Sequence, residues 1–439
     1  MTGTAPWPAT AVVEGRSVTS IGGVGLAGLA ESHGTPLWVV DEADLRMRCR
    51  AYRRAFPEVA YASKAWCTVG ILRIVADEGL WVDVASGGEL YTAERAGVPM
   101  ERVVFHGNNK SEAELRMAAG LGVGRLVIDS FDEIGLADRV GAATGHRFRA
   151  WIRVTPGIDA HTHAFVRTGH DDSKFGFTLS LGLADRALER ALASDHLAVA
   201  GVHAHIGSQI FGAAPLAANT EVLIGVLAGW RDRYGVTLDE LNVGGGMAIP
   251  YTHEDRPLGP AGYGAVLSGA LTAEAARLGF PVPRLFVEPG RALVGPSAAT
   301  LYRVGTVKRI PGIRTYAAVD GGMSDNIRPA LYGAEHEVAP AGRRSDAPLE
   351  AMTIVGKHCE SGDLVREHAP LPSDLAPGDL LVVAATGAYT ESMASTYNRV
   401  PRPGAVLVHD GSARWMVRPE TYEDLVARDL PAGPAAADG

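Results

Sequence analysis

Cysteine is scarce in this chain of 439 residues. Only Cys49, Cys67 and Cys359 occur, an odd number of residues placed far apart. A small secreted domain held by disulfides needs a dense and paired set of cysteines. The sequence therefore excludes a disulfide framework, and its cysteine usage suits the reducing cytoplasm.

Long apolar runs and basic tracts are absent as well. No run approaches the roughly 18 apolar residues that span a bilayer, and the N-terminus, interrupted by Pro6 and Pro8, has no basic region followed by an apolar core. The formal net charge is −9, and basic pairs such as Arg53-Arg54 and Arg343-Arg344 are short. A nucleic-acid-binding protein would carry a basic stripe, so we expect neither nucleic acid nor membrane among the partners.

What the sequence does contain is a recurring alternation of short apolar runs and helical segments. Segments such as 111–119 and 183–193 have the spacing of amphipathic helices. Together with the apolar runs they predict an α/β fold, a (β/α)8 barrel of the TIM type over residues 37–295. The eight predicted strands are 60–63, 81–85, 103–106, 126–129, 150–154, 200–205, 240–243 and 285–287.

After residue 296 the pattern changes. Short strand-like runs at 301–307, 316–319, 352–355, 380–384 and 406–408 are separated by Gly, Pro and Asp, which is typical of an antiparallel sheet. We predict a C-terminal antiparallel β-domain over 296–430, joined by the N-terminal segment 1–36. The last residues, 431–439, are rich in Ala, Gly and Pro and predict a disordered tail.

Polar or glycine-rich residues follow nearly every predicted barrel strand. The set is Lys64, Asp83, His106, His205, Gly244–Gly246 and Glu288. Active sites of these barrels form where the strands end, so the set predicts an enzyme. Polar residues commonly follow strands, however, and this ordinary explanation stays open for each residue alone.

Several of these residues have side chains suited to a phosphate-bearing aldehyde cofactor. A partly desolvated Lys64 could form a Schiff base, and three successive glycines could present N–H groups to phosphate. Glu288 could keep a pyridine nitrogen protonated, and Arg291 could donate to phosphate or carboxylate. His205 could stack on a flat ring. A surface lysine, a tight turn, a salt bridge and, for the nearby His203, a core histidine are the ordinary alternatives.

A metal site is a further alternative. His203 and His205 share one face of a strand, and His161/His163 form a second pair of the same spacing. Such pairs also suit a metal-dependent barrel hydrolase, which would need a carboxylate or a carbamylated lysine to complete its ligands.

Six motifs in order give the chain a family resemblance. They are YASKA (61–65), HIGSQ (205–209), GGG (244–246), EPGR (288–291), CESGD (359–363) and GAY (387–389), and VDGGMSDNIRPALYG (319–333) extends them. Together they resemble the diaminopimelate decarboxylases, which belong to the alanine-racemase-like, fold-type III class of enzymes that use pyridoxal 5'-phosphate. The resemblance runs from about Thr35 past Pro403. It implies decarboxylation of meso-2,6-diaminopimelate at its D-centre, giving L-lysine and CO2.

The resemblance also implies roles for single residues. Lys64 would hold the cofactor, Asp83 would lie near it, His205 would stack on its ring and Glu288 would pair with the ring nitrogen. Cys359 would act as the general acid. The remaining cofactor-binding residues would be Ser208, Gly245, Gly246, Arg291 and Tyr389, and the substrate-binding residues would be Arg291, Arg328, Tyr332, Glu360 and Tyr389. No metal is expected.

Further expectations concern partners, specificity and alternatives. In the family, the Cys-Glu pair reaches the neighbouring subunit, which implies a homodimer with composite active sites. Arginines that hold a distal carboxylate would be buried unpaired in a lysine or ornithine decarboxylase. Met247, Thr390 and Glu391 depart from the usual pattern of the family. The chain could therefore be a paralogous decarboxylase that acts on another D-configured or modified diamino acid.

A non-catalytic cofactor-binding regulator is the other alternative, and the Cys359-Glu360 pair argues against it. His358 could tune the thiol, or be a solvated loop histidine.

Overall fold

The computed structural model describes residues 6–158 and 173–430 of the chain, which divides into two compact units. The first unit comprises Met1–Ala9, Asp41–Ala298 and Gly387–Ser392. The second comprises Thr10–Val40, Ala299–Thr386 and Met393–Gly439. The predicted tail, 431–439, lies outside the described residues.

The first unit is a closed barrel of eight parallel strands. The strands are β1 (Glu58–Ala62), β2 (Trp81–Val84), β3 (Val103–Phe105), β4 (Arg125–Ile128), β5 (Phe148–Thr155), β6 (Leu197–His203), β7 (Glu240–Asn242) and β8 (Arg284–Val287). Each pairs in parallel with the next along the chain, and β8 pairs with β1. A short strand, Phe177–Thr178, adds to β5. The predicted (β/α)8 barrel is confirmed.

In the described residues of this unit, helices alternate with the strands. They are α1 (Glu42–Ala55), α2 (Val69–Asp77), α3 (Gly87–Ala96), α4 (Glu112–Leu121), α5 (Phe131–Thr144), α6 (Leu183–Leu192), α7 (Ala214–Tyr234) and α8 (Pro260–Arg277), and a short α9 (Arg291–Val294) follows β8. Serines at the ends of preceding loops begin three of them. Ser86, Ser111 and Ser130 each accept a backbone N–H of the first turn, and Ser111 forms a capping box with Glu114. The predicted helices 111–119 and 183–193 correspond to α4 and α6.

The barrel interior is apolar in the middle and charged at its N-terminal end. Trp151 and Phe286 meet edge to face in the apolar layer, with ring centres 4.9 Å apart. Below them, the fully buried carboxylate of Glu240 accepts from Arg125 (Nε 2.7 Å, Nη2 2.5 Å), from Trp151 Nε1 (2.7 Å), and from Arg149 and Arg284. This network closes the N-terminal end of the barrel. The C-terminal strand ends remain as the place for a site.

The second unit is a mostly antiparallel sheet to which the N-terminal segment contributes strands, as predicted. Its strands are Val12–Glu14, Ser17–Ile21, Val24–Gly25, Leu37–Asp41, Ala298–Ile310, Arg314–Val319, Val338–Ala341, Leu349–Val355, Leu364–Pro372, Leu380–Val383, Gly404–His409 and Ser412–Val417, and its helices are Leu26–His33, Arg328–Tyr332 and Tyr422–Val426. Ser17–Ile21 pairs in parallel with Val338–Ala341, and Arg314–Val319 pairs in parallel with Leu349–Val355. In the described part of the chain, no helix has the length and apolarity to cross a membrane.

Candidate active site

The loops at the C-terminal ends of the barrel strands bring together the predicted site residues of the first unit. Lys64 lies in a short 3-10 turn (Ser63–Ala65) directly after β1, and its side chain is exposed. Its ammonium is near enough to Asp83 and His205 to lower the pKa of both groups by its charge. Strand ends far apart in the sequence therefore meet at one barrel mouth.

Glu288, just past β8, is the centre of a buried hydrogen-bonded cluster. Its Oε1 accepts from Asn242 Nδ2 at 2.7 Å and lies 2.8 Å from His106 Nε2. Its Oε2 lies 3.1 Å from His203 Nε2. Asp83 Oδ1 is 3.8 Å from the same nitrogen of His106. Five strands thus contribute to one cluster, and its carboxylate is held from both sides.

Burial and neighbouring charges shift the pKa values of this cluster in different directions. Burial would raise the pKa of Glu288, but the charges of His106 and His203 and their hydrogen bonds outweigh it and hold that pKa well below its usual range. Burial raises the pKa of Asp83 to about 7 and lowers that of His203 to about 4. Burial also acts to lower the pKa of His106, but Asp83 and Glu288 raise it above its ordinary value. At neutral pH, Glu288 is therefore ionised and His203 is neutral.

His205 presents a flat, uncharged ring. Desolvation, with Lys64 and Arg153 adding positive charge nearby, lowers the pKa of His205 to about 3. The backbone N–H of Gly245 donates to His205 Nδ1 at 3.3 Å, which fixes the ring. A neutral imidazole held in one orientation is suited to stacking on another flat ring.

The glycines after β7 lie so close to neighbouring backbone that no side chain fits. A Cβ at Gly245 would stand 2.1 Å from the carbonyl oxygen of Glu288. A Cβ at Gly246, whose φ is 101°, would stand 2.4 Å from the carbonyl oxygen of Gly207. These positions require glycine, and successive glycine N–H groups are suited to binding a phosphate.

Arg291 connects the eighth strand to the loop after β6. Its Nη2 donates to Ser208 Oγ at 3.0 Å and its Nη1 donates to the hydroxyl of Tyr251. The guanidinium lies 4.7 Å from the ring centre of Tyr389, whose φ of 59° is in the left-handed region. Ser208, Arg291 and Tyr389, all predicted from motifs, therefore form one group. Tyr251 was not predicted.

The positions that depart from the family pattern are mostly buried. Met247 is 1% exposed, Ala248 is 5% exposed and Thr390 is 1% exposed. Glu391 begins a short 3-10 turn and is partly exposed.

The other predicted site residues lie in the second unit. Arg328 and Tyr332 are the first and last residues of one short helix, where Arg328 is buried, Tyr332 is exposed, and the guanidinium lies 5.8 Å from the tyrosine ring centre. Cys359 is a free, exposed cysteine, and the neighbouring Glu360 is exposed as well.

The loop that carries Cys359 and Glu360 is held by Asp363. Its Oδ2 accepts from both the backbone N–H and Nδ1 of His358, each at 2.8 Å, and its Oδ1 accepts from the backbone N–H of Met323 at 2.7 Å. The ring of His358 is buried and stacks on Tyr397. The prediction of a solvated loop histidine at 358 is wrong, because Asp363 holds the imidazole in the interior.

Sequence reasoning missed the residues that support Glu288. His106 was noted only as a polar residue after a strand, and Asn242 was placed inside β7. The signal for His106 was its position at a strand end. Nothing in the sequence shows that it meets Glu288, 182 residues away.

Some of the same residues could also act as metal ligands. In the described ranges, His106, His203 and Glu288 offer ligand atoms within 4.8 Å of one another. His205 is not part of this group, and His161 and His163 lie outside the described residues. Both histidines are hydrogen-bonded to the carboxylate of Glu288.

The first unit fits pyridoxal phosphate. An exposed lysine, a neutral flat imidazole and a buried ionised carboxylate lie at one mouth, beside a glycine backbone into which no Cβ would fit. These are the groups needed, in turn, for an aldehyde, a ring face, a pyridine nitrogen and a phosphate.

Comparisons with known proteins agree with this chemistry. The profile of the family described as "Pyridoxal-dependent decarboxylase, pyridoxal binding domain" matches residues 42–295. The diaminopimelate decarboxylase of Bacillus subtilis is 49% identical over 417 residues, covering 94% of this chain and 95% of that protein. The Mycobacterium tuberculosis protein of the same name is 44% identical over 435 residues, with 97% of each chain covered.

Solved structures are similar over nearly the whole chain. The diaminopimelate decarboxylase of M. jannaschii, also solved in complex with L-lysine, superposes with a TM-score of 0.91 at 31% identity, covering 96% of this chain and 98% of that one. The Helicobacter pylori enzyme complexed with L-lysine gives a TM-score of 0.82 at 30% identity, covering 91% of this chain and 98% of that one.

Proposed function

Since the chain belongs to the diaminopimelate decarboxylase family, we propose that it decarboxylates meso-2,6-diaminopimelate at its D-centre and releases L-lysine and CO2. Its cofactor is pyridoxal phosphate. The observation that carries the proposal is the buried, ionised Glu288, which shares the barrel mouth with Lys64 and His205. A carboxylate at that position favours a cationic pyridine ring.

The residues of the first unit have separate tasks in holding the cofactor. Bound there, the cofactor supplies an electron sink for the electron pair left when CO2 departs. Lys64 would bind its aldehyde, Glu288 would hold a proton at its ring nitrogen, and His205 would cover one face of its ring. The remaining binding residues would be Asp83, Ser208, Gly245, Gly246, Arg291 and Tyr389.

Recognition of the substrate would use a carboxylate clamp. Decarboxylation needs the departing carboxylate to be unbound, so the distal carboxylate must be held elsewhere. As the family resemblance implies, Arg291, Arg328 and Tyr332 would hold it, and Tyr389 would also bind the substrate. Glu360 would bind the distal ammonium. A substrate without the distal carboxylate would leave the arginines unpaired.

Cys359 would return a proton to the carbon that loses CO2. We propose that it acts across a homodimer interface, so that each site is composite and the monomer is inactive. The exposure of Cys359 and Glu360 on their Asp363-held loop supports this proposal. The three free cysteines support a cytoplasmic location.

The test is CO2 release from the purified, cofactor-loaded protein, offered meso-diaminopimelate, L-lysine, L-ornithine and L-arginine side by side. Turnover of diaminopimelate alone is expected. Release from lysine or ornithine at an equal rate would contradict the carboxylate clamp. No release from diaminopimelate, with the cofactor bound, would contradict the proposed substrate and point to a modified diamino acid.

A lysine variant tests the cofactor assignment separately. Lys64→Ala should abolish the visible absorbance of lysine-bound cofactor, whereas Lys308→Ala, at an exposed strand position of the second unit, should keep it. A yellow band retained in Lys64→Ala would remove Lys64 from this role.

A further inference from the structure

The two oxygens of the Glu288 carboxylate have different partners. Oε1 is bonded to Asn242 at 2.7 Å and to His106 at 2.8 Å, whereas Oε2, among residues 6–158 and 173–430, is bonded to His203 alone, at 3.1 Å. A carboxylate oxygen accepts two hydrogen bonds readily. Oε2 therefore keeps an acceptor position for an incoming donor, and His106 and Asn242 fix the direction in which it points.

The charge of His106 is set by the groups that surround it in this cluster. Asp83 Oδ1 stands 3.8 Å and Glu288 Oε1 2.8 Å from its Nε2. The ring of His203 meets it edge to face at 4.8 Å, and the positive charge of Arg153 also acts on it. Lys64 acts on its neighbour Asp83. The two carboxylates together favour the protonated form of His106.

We propose that His106 is a positioning residue for the cofactor: it holds Glu288 through Oε1, leaves Oε2 to the ring nitrogen, and by its positive charge keeps the shared proton on that nitrogen. The inference rests on the proposed function, in which Glu288 faces the ring nitrogen.

The physical reason is a competition for one proton. A proton between a pyridine nitrogen and a carboxylate stays on the more basic of the two. A cation 2.8 Å from the carboxylate stabilises its ionised form and makes it the weaker base. Without that charge, Glu288 would take a larger share of the proton, and the ring would become a poorer electron sink.

Asp83 has a supporting part in this arrangement. Its carboxylate favours the protonated form of His106 by its charge. Removing that charge should lower the pKa of His106, so that the imidazole becomes neutral at a lower pH. His106 would then favour protonation of the ring nitrogen at low pH but not at high pH.

The experiment reconstitutes the apoprotein with ¹⁵N-labelled pyridoxal phosphate and follows the ring nitrogen by NMR. His106→Gln keeps a donor toward Glu288 but removes the charge. We expect its ¹⁵N signal to move toward the position of an unprotonated pyridine, and kcat to fall roughly 10- to 100-fold, as for the loss of one charge-assisted interaction, with KM little changed. His146→Gln, a histidine outside the cluster, is the matched control and should match the wild type.

Asp83→Asn gives the readout that a merely structural role would not produce. Its ring-nitrogen signal should match the wild type at low pH and, as the pH rises, move to the position of His106→Gln at a lower pH than in the wild type. This variant also keeps the proposal testable if His106→Gln does not fold. A ring-nitrogen signal that stays protonated in both variants at every pH would overturn the proposal.

The NMR measurement needs no turnover and so separates the two proposals. If the wild type holds a protonated ring but releases no CO2 from diaminopimelate, the proposed function fails and the role of His106 stands. If the wild type turns over and His106→Gln shows an unchanged signal, only the role of His106 fails.

Discussion

Neutralising the carboxylate at the N-terminal end of the barrel should lower the free energy of unfolding more than most single substitutions. Glu240, at the start of β7, is fully buried and accepts hydrogen bonds from Arg125, Arg149, Arg284 and Trp151. We predict that Glu240→Gln, which keeps the shape but removes the charge, destabilises the first unit by about 3 kcal/mol at neutral pH.

The magnitude follows from the pKa of the group. Burial would raise the pKa of Glu240, but the hydrogen bonds and charges of Arg125, Trp151 and Arg284 outweigh it and lower the pKa from 4.5 to about 2. A carboxyl group whose pKa falls by that amount on folding contributes about 3 kcal/mol to the free energy of unfolding. The contribution is complete above pH 4.5 and is lost as the pH falls through about 2. The variant should therefore approach the wild type in acid.

Urea unfolding followed by tryptophan fluorescence would measure this effect, since Trp151 itself donates to Glu240. The matched control is Glu112→Gln on α4, where the carboxylate pairs with Arg116 at 2.7 Å but is 56% exposed. The control should lose less than about 0.5 kcal/mol. The reasoning would be refuted if both variants lost the same free energy, or if the loss at Glu240 did not shrink below pH 4.5.

Three further outcomes are expected. Gly245→Ala should lose most of its cofactor affinity in a fluorescence titration, because its Cβ would stand 2.1 Å from a backbone oxygen. The control, Gly225→Ala on α7, has open space around its Cβ and should bind the cofactor normally. Equal affinities of the two variants would contradict the glycine requirement. Asp363→Ala should speed amide hydrogen exchange at His358 and Met323 by about tenfold or more, because it removes both oxygens that accept their N–H groups. Unchanged protection would show that the loop is held otherwise. Tyr251→Phe should raise KM for diaminopimelate more than it lowers kcat in steady-state assays, because it removes the hydroxyl that accepts a hydrogen bond from Arg291. A loss confined to kcat would show that Arg291 does not bind the substrate.

Much of the fold could be predicted because it is encoded in local patterns. All eight barrel strands were predicted within a few residues of their observed bounds, since each is a short apolar run followed by polar or glycine residues. The sheet of the second unit was predicted in part. Its strand Leu364–Pro372 was missed because Pro370 and Pro372 argue against a strand, yet it lies at the edge of the sheet, where proline is tolerated.

The sequence by itself determined which residue types follow the strands, and the motifs identified Lys64, His205, Glu288 and Arg291 as residues of one family's site. Only the tertiary structure decided their supports. His106 reaches Glu288 because the barrel closes, Asn242 turns its amide inward at the end of β7, and Tyr251 meets Arg291 across a loop. Apolar periodicity and motif spacing depend on neighbours along the chain. Which side chain meets a buried carboxylate depends instead on strand order and register, and these form only when the whole barrel is assembled.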